Sequence, residues 1–362
     1  MKRRFSSWVA GILFCLSGGC VDKISFDTGD ATIFPIVITG SITDQPGPYE
    51  IEVSQGFDLE AQAAVRESVP AKRIILSDDI GNFEVLTEIE TGKYVSRPDG
   101  MRGVVGRAYK LRVELYDGRV YETIPDTMKT TGIVTDIRHS VVKYNNADGK
   151  PEYGFDIFFD SKSEKNNEFR FLWDLVMTYE ISTNPEVILL PCSGMIMDPN
   201  FGMAVSVFPC ECCYCWIQDK NRIPIVSDGA LLKNGVFSNI KAGRLPITWQ
   251  TMGYKTYVEI QQYSLSEMAF NFWKAVRNQK DAATSLFQPL SGKINGNFFQ
   301  VEGKTSPVQG LFYASSVSKK AINITIKDVP DPKNMITLRT GLYTGPCMDF
   351  PRATNRKPDF WE

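Results

Sequence analysis

The part of the sequence best suited to chemistry is a cluster of four cysteines, Cys210, Cys212, Cys213 and Cys215, within six residues. The cluster contains two overlapping C-x-x-C spacings, and thiolates at this spacing bind zinc tetrahedrally. The same thiols form disulfides in an oxidising compartment, where a crosslink typically stabilises a fold by roughly 2–4 kcal/mol. The choice between these two chemistries depends on where the chain resides.

The amino terminus predicts export. Basic residues at 2–4 precede an apolar stretch at 8–16, and small residues at 17–19 then lead into Cys20. This order is typical of a signal peptide, and the apolar stretch is far shorter than the roughly 20 residues that span a bilayer. Small residues before a cysteine are typical of a lipoprotein cleavage site, although Ser17 occupies the position where leucine is usual.

We therefore expect residues 1–19 to be a signal peptide and residues 20–32 to be a lipid-anchored tether. Several acyl chains on Cys20 would hold the mature protein stably on a membrane, since one chain alone binds only reversibly. The alternative is an ordinary secretory signal, with Cys20 free or in a disulfide.

In an exported chain, the remaining cysteines favour structural disulfides over a metal site or redox work. Cys212 and Cys213 are adjacent and should reach different partners, for which Cys192 and Cys347 are natural choices. A link to Cys347 would explain how the proline-rich tail is held. The sequence does not choose among the pairings. The disulfide candidates are Cys192, Cys210, Cys212, Cys213, Cys215 and Cys347.

The single histidine, His139, limits the possible catalytic mechanisms. It lies in a β-branched stretch, residues 137–141, that predicts a surface strand, so we expect no Ser-His-Asp or Cys-His site. Phosphate-binding glycine loops are absent from the sequence, and no cofactor is predicted. A catalytic pair of carboxylates, as in glycosidases, remains an alternative. A deep pocket with two facing carboxylates would favour it.

The charge balance argues against a nucleic-acid partner. The chain has 40 basic and 42 acidic side chains, and no block of like charges stands out. Nucleic-acid binding would require a basic face.

Residues 33–124 predict an N-terminal β-sandwich of immunoglobulin-like type. Apolar and polar residues alternate in residues 49–53 and 109–115, and Asp117-Gly118 is typical of a hairpin turn. Short strands separated by turns over about 90 residues are typical of such a sandwich. We place the domain boundary at residues 124–126.

Residues 125–362 predict a larger β-rich domain with a cysteine-rich loop at 192–215. Tyr214 and Trp216, which we place in an irregular segment, would contact a ligand or a barrel, or pack over the disulfides. One amphipathic helix is predicted near 265–279. Ser264 and Glu267 have capping-box spacing at its start. The apolar positions with helical spacing are Leu265, Met268, Ala269, Phe272, Trp273 and Val276.

Several stretches resemble a Bacteroidetes outer-membrane lipoprotein family catalogued as domain of unknown function 4249. The resemblance implies a partner of TonB-dependent transporters in nutrient uptake, and it supplies no catalytic or ligand-binding motif. The matching stretches are residues 36–44, 46–49, 103–106, 109–111, 262–267, 272–273, 285–287, 296–297, 310–316 and 358–361.

Together these observations predict a mainly β, non-catalytic lipoprotein of the outer membrane that faces the cell exterior. It would be an accessory or substrate-capturing partner of a TonB-dependent transporter, with a small-molecule or oligomeric nutrient as its cargo. The alternatives are a structural subunit of an envelope assembly or a surface hydrolase.

Overall fold

Alternating apolar and polar residues in the first third of the chain form short strands. The computed structural model describes residues 35–56, 67–163, 170–183, 195–197, 204–206, 213–221, 223–283, 294–337 and 345–362. The first strands are β1 (Ile36–Thr43), β2 (Glu50–Gln55), β3 (Glu67–Ser68), β4 (Ala71–Asp78), β5 (Phe83–Val85), β6 (Thr87–Glu90), β7 (Lys93–Val95), β8 (Ala108–Leu115), β9 (Val120–Thr123) and β10 (Asp126–Thr127).

The rest of the chain forms further strands, several of them of nine or more residues, and two helices within the described ranges. No helix in these ranges has the length and apolar character needed to cross a bilayer. The elements are β11 (Ile133–Asn145), β12 (Pro151–Lys162), β13 (Phe171–Ser182), β14 (Met195–Met197), β15 (Ala204–Ser206), β16 (Tyr214–Lys220), β17 (Ile225–Val226), β18 (Leu232–Lys233), β19 (Val236–Pro246), β20 (Lys255–Ser264), α1 (Glu267–Ala283), β21 (Phe298–Glu302), β22 (Val308–Ser315), β23 (Val317–Thr325), α2 (Pro332–Met335) and β24 (Ala353–Thr354).

Two sheets form a first sandwich. One sheet has the order β22-β1-β2-β7-β6, with β3 beside β2, and the other has the order β21-β9-β8-β4-β5, with β10 beside β8. Their inward-facing side chains share one core, in which Ile38, Ile51, Ile74 and Leu111 are fully or almost fully buried. Each such aliphatic side chain contributes about 1.5–3 kcal/mol by leaving water. The core therefore lies between the two sheets.

Two strands of this first sandwich come from the last quarter of the chain. Strand β22 runs parallel to β1, from Ile36 opposite Val308 to Thr43 opposite Ser315, and β21 pairs antiparallel with β9. Gly310 allows the parallel contact, because its φ is +111° and a Cβ there would collide with the backbone of Ile38.

Asn297 connects β22 to the segment at Ile124, which follows β9. It is almost fully buried, and its amide nitrogen donates to the Phe312 carbonyl (2.7 Å) while its amide oxygen accepts from the Phe312 N–H (3.0 Å). Its own carbonyl accepts from the Ile124 N–H. A buried amide whose groups are all paired holds a junction rigidly. Asn297 lies in one of the stretches that carry the family resemblance, and these hydrogen bonds give it a structural role.

Two further sheets form a second sandwich. Their orders are β11-β12-β19-β18 and β23-β20-β13-β16-β24, with β17 beside β13, while β14 and β15 pair with each other. Aromatic rings fill the space between the sheets: Trp173 packs edge-to-face on Phe159 and Phe237, with centroids 5.2 Å apart in both pairs. The mainly β, sandwich-based fold with one packed amphipathic helix is therefore confirmed.

A buried polar contact joins the two sheets of the second sandwich. Gln262 has no exposed surface, and its side-chain oxygen accepts hydrogen bonds from the Trp173 indole (2.7 Å) and from the Ser161 hydroxyl. Its amide nitrogen donates to the Thr131 hydroxyl at 3.2 Å. Because buried donors need partners, Gln262 satisfies groups from both sheets at once.

The start of α1 differs from the predicted capping box. Ser266 caps the helix, since its hydroxyl accepts from the Ala269 N–H (3.2 Å), which is the geometry of an N-cap. Ser264 instead ends β20, donating to the Lys129 carbonyl and accepting from the Ser316 N–H. The Ser264 capping prediction was therefore wrong, because Ser264 is the last residue of β20 and the helix begins only at Glu267.

The predicted irregular segment around the cysteines contains regular structure. Strand β16 pairs with β13 from Ser182 opposite Tyr214 to Val176 opposite Lys220, so Tyr214 and Trp216 lie on a strand and not in a loop. Residues 35–362 form one compact unit, within which β21 and β22 complete the first sandwich. The domain boundary at residues 124–126 stays a prediction.

Candidate functional site

A cleft of about 750 Å³ opens in the second sandwich. Its walls are α1, the segment 225–231 and the strand β19. A volume of this size suits a small organic ligand or a short oligomer. A second depression of about 380 Å³ adjoins it, and the two share Ile225, Lys241 and Arg277 as wall residues.

The floor of the cleft is apolar. Val226 and Phe270 are almost fully buried there, Ile225 is half-buried, and Trp173 lies at the bottom. Phe270 belongs to a hydrophobic cluster in which α1 packs on β13, β17 and β22. The floor is therefore built from side chains that the fold already needs, which makes it rigid.

The wall opposite α1 is the edge of β19. Strand β18 covers only Val236 and Phe237, so in the described part of the chain residues 239–243 have β12 as their one strand neighbour. These five consecutive residues line the two depressions together. Side chains on a strand alternate, so an unbroken run of lining residues means that the cleft meets the strand edge-on.

Asn239 on this edge is held in an unusual conformation. Its φ is +56°, a left-handed geometry that asparagine tolerates better than most residues. The Asp160 carboxylate accepts its N–H at 2.6 Å and also binds Arg138. The Arg138 hydrogen bonds lower the pKa of Asp160, and they outweigh the opposing effect of burial. Asp160 therefore stays ionised and positions Asn239 in the cleft wall.

Three cations border the cleft: Lys241, Lys274 and Arg277. Arg277 donates to the Val226 carbonyl at 3.2 Å, and Lys241 donates to Asp156. Burial raises the pKa of Asp156, but hydrogen bonds from Arg244 and Lys241 outweigh it and lower the pKa overall.

Two carboxylates also line the cleft, and their contacts argue for structural roles. Asp228 caps a 3-10 turn by accepting from the Ala230 N–H at 3.0 Å. Asp281 lies 3.5 Å from Arg277 along the helix. Both are exposed, whereas a glycosidase acid needs a site that raises its pKa through burial. Within the described part of the chain, no group of three His, Cys, Asp or Glu side chains is placed to hold a metal ion.

A disulfide joins Cys215 on β16 to Cys347 in the tail, with 5.6 Å between the Cα atoms. Cys213 is disulfide-bonded as well. The sequence suggested Cys347 as a partner for Cys212 or Cys213, and its partner is Cys215. The predicted role of Cys347 in holding the tail is confirmed, because it is fully buried and followed by Phe350, which packs on the same cluster.

The tail is also held by aromatic contacts. Phe360 stacks on Tyr257 with ring centroids 4.4 Å apart, and Trp361 is almost fully buried. The Trp361 indole donates to Glu180 at 3.2 Å. The tail therefore covers part of the outer face of the sheet that contains β20.

The remaining predicted sites fall in separate places. His139 lies on β11, two strands from β19 and outside the cleft lining, and packs edge-to-face on Phe155 with centroids 4.8 Å apart. Tyr214 is 52% exposed and Trp216 is buried. Neither lines the cleft. The predicted lipidation site Cys20 and the disulfide candidates Cys192, Cys210 and Cys212 lie outside the described residues.

Sequence reasoning missed the cleft residues. Phe270 falls outside the apolar stripe that we assigned to the helix, and Lys274 and Arg277 look like ordinary solvent-facing positions. Asn239 carries no motif. A possible signal was the extra aromatic residue beside the stripe, since a helix that buries more than one face usually contacts more than one element.

The comparison with protein families identifies the chain. The model described as Domain of unknown function (DUF4249) matches residues 21–321. This chain belongs to that family. The matched range includes the first sandwich, most of the second and every described residue of the cleft. No curated protein matches the chain.

Proposed function

We propose that this member of the family is a non-catalytic lipoprotein of the outer membrane that captures a solute in the cleft. Acyl chains on Cys20 would hold it on the membrane, with the folded body facing the cell exterior. It would work beside a TonB-dependent transporter and deliver the solute to it. The cleft between α1 and β19 is the observation that carries this proposal.

The shape and chemistry of the cleft support solute capture. An apolar floor with a few polar groups at the wall is typical of small-ligand sites. The two carboxylates in the wall are exposed and used in a turn and an ion pair, so binding fits the cleft better than hydrolysis.

Occupation of the cleft is tested by native mass spectrometry of protein isolated from its own membrane. Ala230→Trp fills the cleft from an exposed wall position, and Ser140→Trp adds the same ring at an exposed position on β11. We expect wild type and Ser140→Trp to carry a bound solute that Ala230→Trp lacks. Equal occupancy in all three proteins would place the solute elsewhere.

Partnership is tested by a mild-detergent pull-down of the tagged protein from the outer membrane. We expect a TonB-dependent barrel in stoichiometric amount. A Cys20→Ala variant, which cannot be acylated at that position, is the control for membrane attachment. Recovery of the protein alone, or with envelope-assembly factors, would contradict the transporter partnership and favour a structural subunit.

A further inference from the structure

The cations of the cleft are not fully neutralised by their neighbours. Lys241 and Arg277 border both depressions, so they stand where the two meet. Arg277 uses one nitrogen on the Val226 carbonyl, and its contact with Asp281 is long at 3.5 Å. Lys274 is exposed and forms no ion pair with any residue in the described ranges. A negatively charged group would therefore find free donors between Lys274 and Arg277.

Two asparagines in the cleft suit sugar hydroxyls. Asn239 and Asn278 both line the cleft, and each side-chain amide donates and accepts hydrogen bonds. Asp160 fixes the backbone of Asn239, so this contact is positioned before a ligand arrives. The apolar floor at Val226 and Phe270 would then contact the carbon-bound hydrogens of a ligand.

The β19 edge is poorly suited to an added peptide strand. Its pairing with β12 is interrupted twice, between Ile157 and Phe158 and between Phe159 and Ser161. Bulges of this kind twist an edge and prevent another strand from pairing along it. An extended peptide would therefore lack the continuous hydrogen bonding that gives such complexes their affinity.

We propose that the cleft binds an oligosaccharide that carries carboxylate groups, with one carboxylate held between Lys274 and Arg277. This inference rests on the proposed function, since it names the class of solute that the cleft would capture. The amides at Asn239 and Asn278 would bind sugar hydroxyls, and the floor would contact a sugar face.

The test uses two probes with the same sugar backbone, one charged and one neutral: trigalacturonate and its fully methyl-esterified form. Binding to the mature protein is measured by titration calorimetry at low and at physiological salt. We expect the acid to bind at least tenfold more tightly than the ester, with a preference that shrinks as salt rises. Lys274→Gln and Arg277→Gln should each weaken binding of the acid about tenfold and leave binding of the ester unchanged.

Lys110→Gln is the matched control, because Lys110 is an exposed lysine on β8 in the first sandwich. It should bind both probes as wild type does. A triglutamate peptide is the third probe. If this peptide binds more tightly than trigalacturonate, the proposal is overturned in favour of a peptide ligand.

Two other results would also overturn it. Equal affinity for acid and ester would contradict the charge preference while leaving solute capture in place. Absence of binding by trigalacturonate would exclude the proposed class, whereas the native mass spectrometry and the pull-down would still decide the proposed function.

Discussion

The disulfide between Cys215 and Cys347 makes a quantitative prediction about stability. It links residues 132 positions apart in the sequence. In the chain-entropy model, closing a loop of that length removes unfolded-state entropy worth about 5 kcal/mol at 25 °C. Losses on removing a native disulfide are commonly somewhat smaller than this model gives, at about 2–5 kcal/mol. We expect the double variant Cys215→Ala/Cys347→Ala to lose roughly 3–5 kcal/mol of unfolding free energy.

The assay is guanidinium unfolding followed by tryptophan fluorescence, without reductant. Hydrogen exchange of the peptide containing residues 347–362 reports on the tail, since the Ala353 N–H bonds to the Phe350 carbonyl beside the crosslink. We expect this peptide to exchange much faster in the double variant than in wild type.

Reduced wild type provides the control, because reduction removes the crosslink without changing the packed side chains. It should be no more stable than the double variant, since reduction also opens the Cys213 disulfide. The reasoning is refuted if oxidised wild type and the double variant unfold at the same denaturant concentration with equal tail exchange. In that case the aromatic contacts of the tail would suffice to hold it.

Three further predictions concern single residues. Gln262→Met should cost about 2–4 kcal/mol in urea unfolding, because it leaves two buried donors unpaired; a loss below 0.5 kcal/mol would contradict this. Arg138→Gln should cost less than about 1 kcal/mol at pH 7. Because the folded pKa of Asp160 is lowered, this loss should vanish as the pH falls through that pKa, and a loss that grew in acid would contradict the sign. Gly310→Ala should cost more than Gly149→Ala, whose Cβ meets open space, and equal melting temperatures would refute the collision at β22.

Much of the local structure could be predicted from the sequence. Alternation in residues 109–115 and the Asp117-Gly118 turn predict β8 and the hairpin that follows, where Gly118 has a φ of +86°. The apolar stripe predicts a helix near 265–279, and the structure places it at Glu267–Ala283. These patterns are local, so the elements can be predicted from them without knowing which other elements they pack against.

Long-range pairing and the cleft could not be predicted. The sequence of residues 310–316 is typical of a strand but carries no information about the neighbour of that strand, and β22 lies beside β1 at the other end of the chain. The cleft depends on where α1 and the β19 edge meet, which is set by packing. The left-handed conformation of Asn239 depends on Asp160, a residue from another strand. Such contacts leave no periodic signal in a single sequence.

The parallel pairing of β1 with β22 has a consequence for how the protein is made. A chain is synthesised from its amino terminus, so Ile36 emerges long before Val308, its partner in the sheet. Until residues 298–315 follow, the first sandwich lacks one edge strand of each sheet. The early chain must therefore be kept from aggregating during synthesis, and a product truncated before residue 298 has no complete first sandwich to fold into.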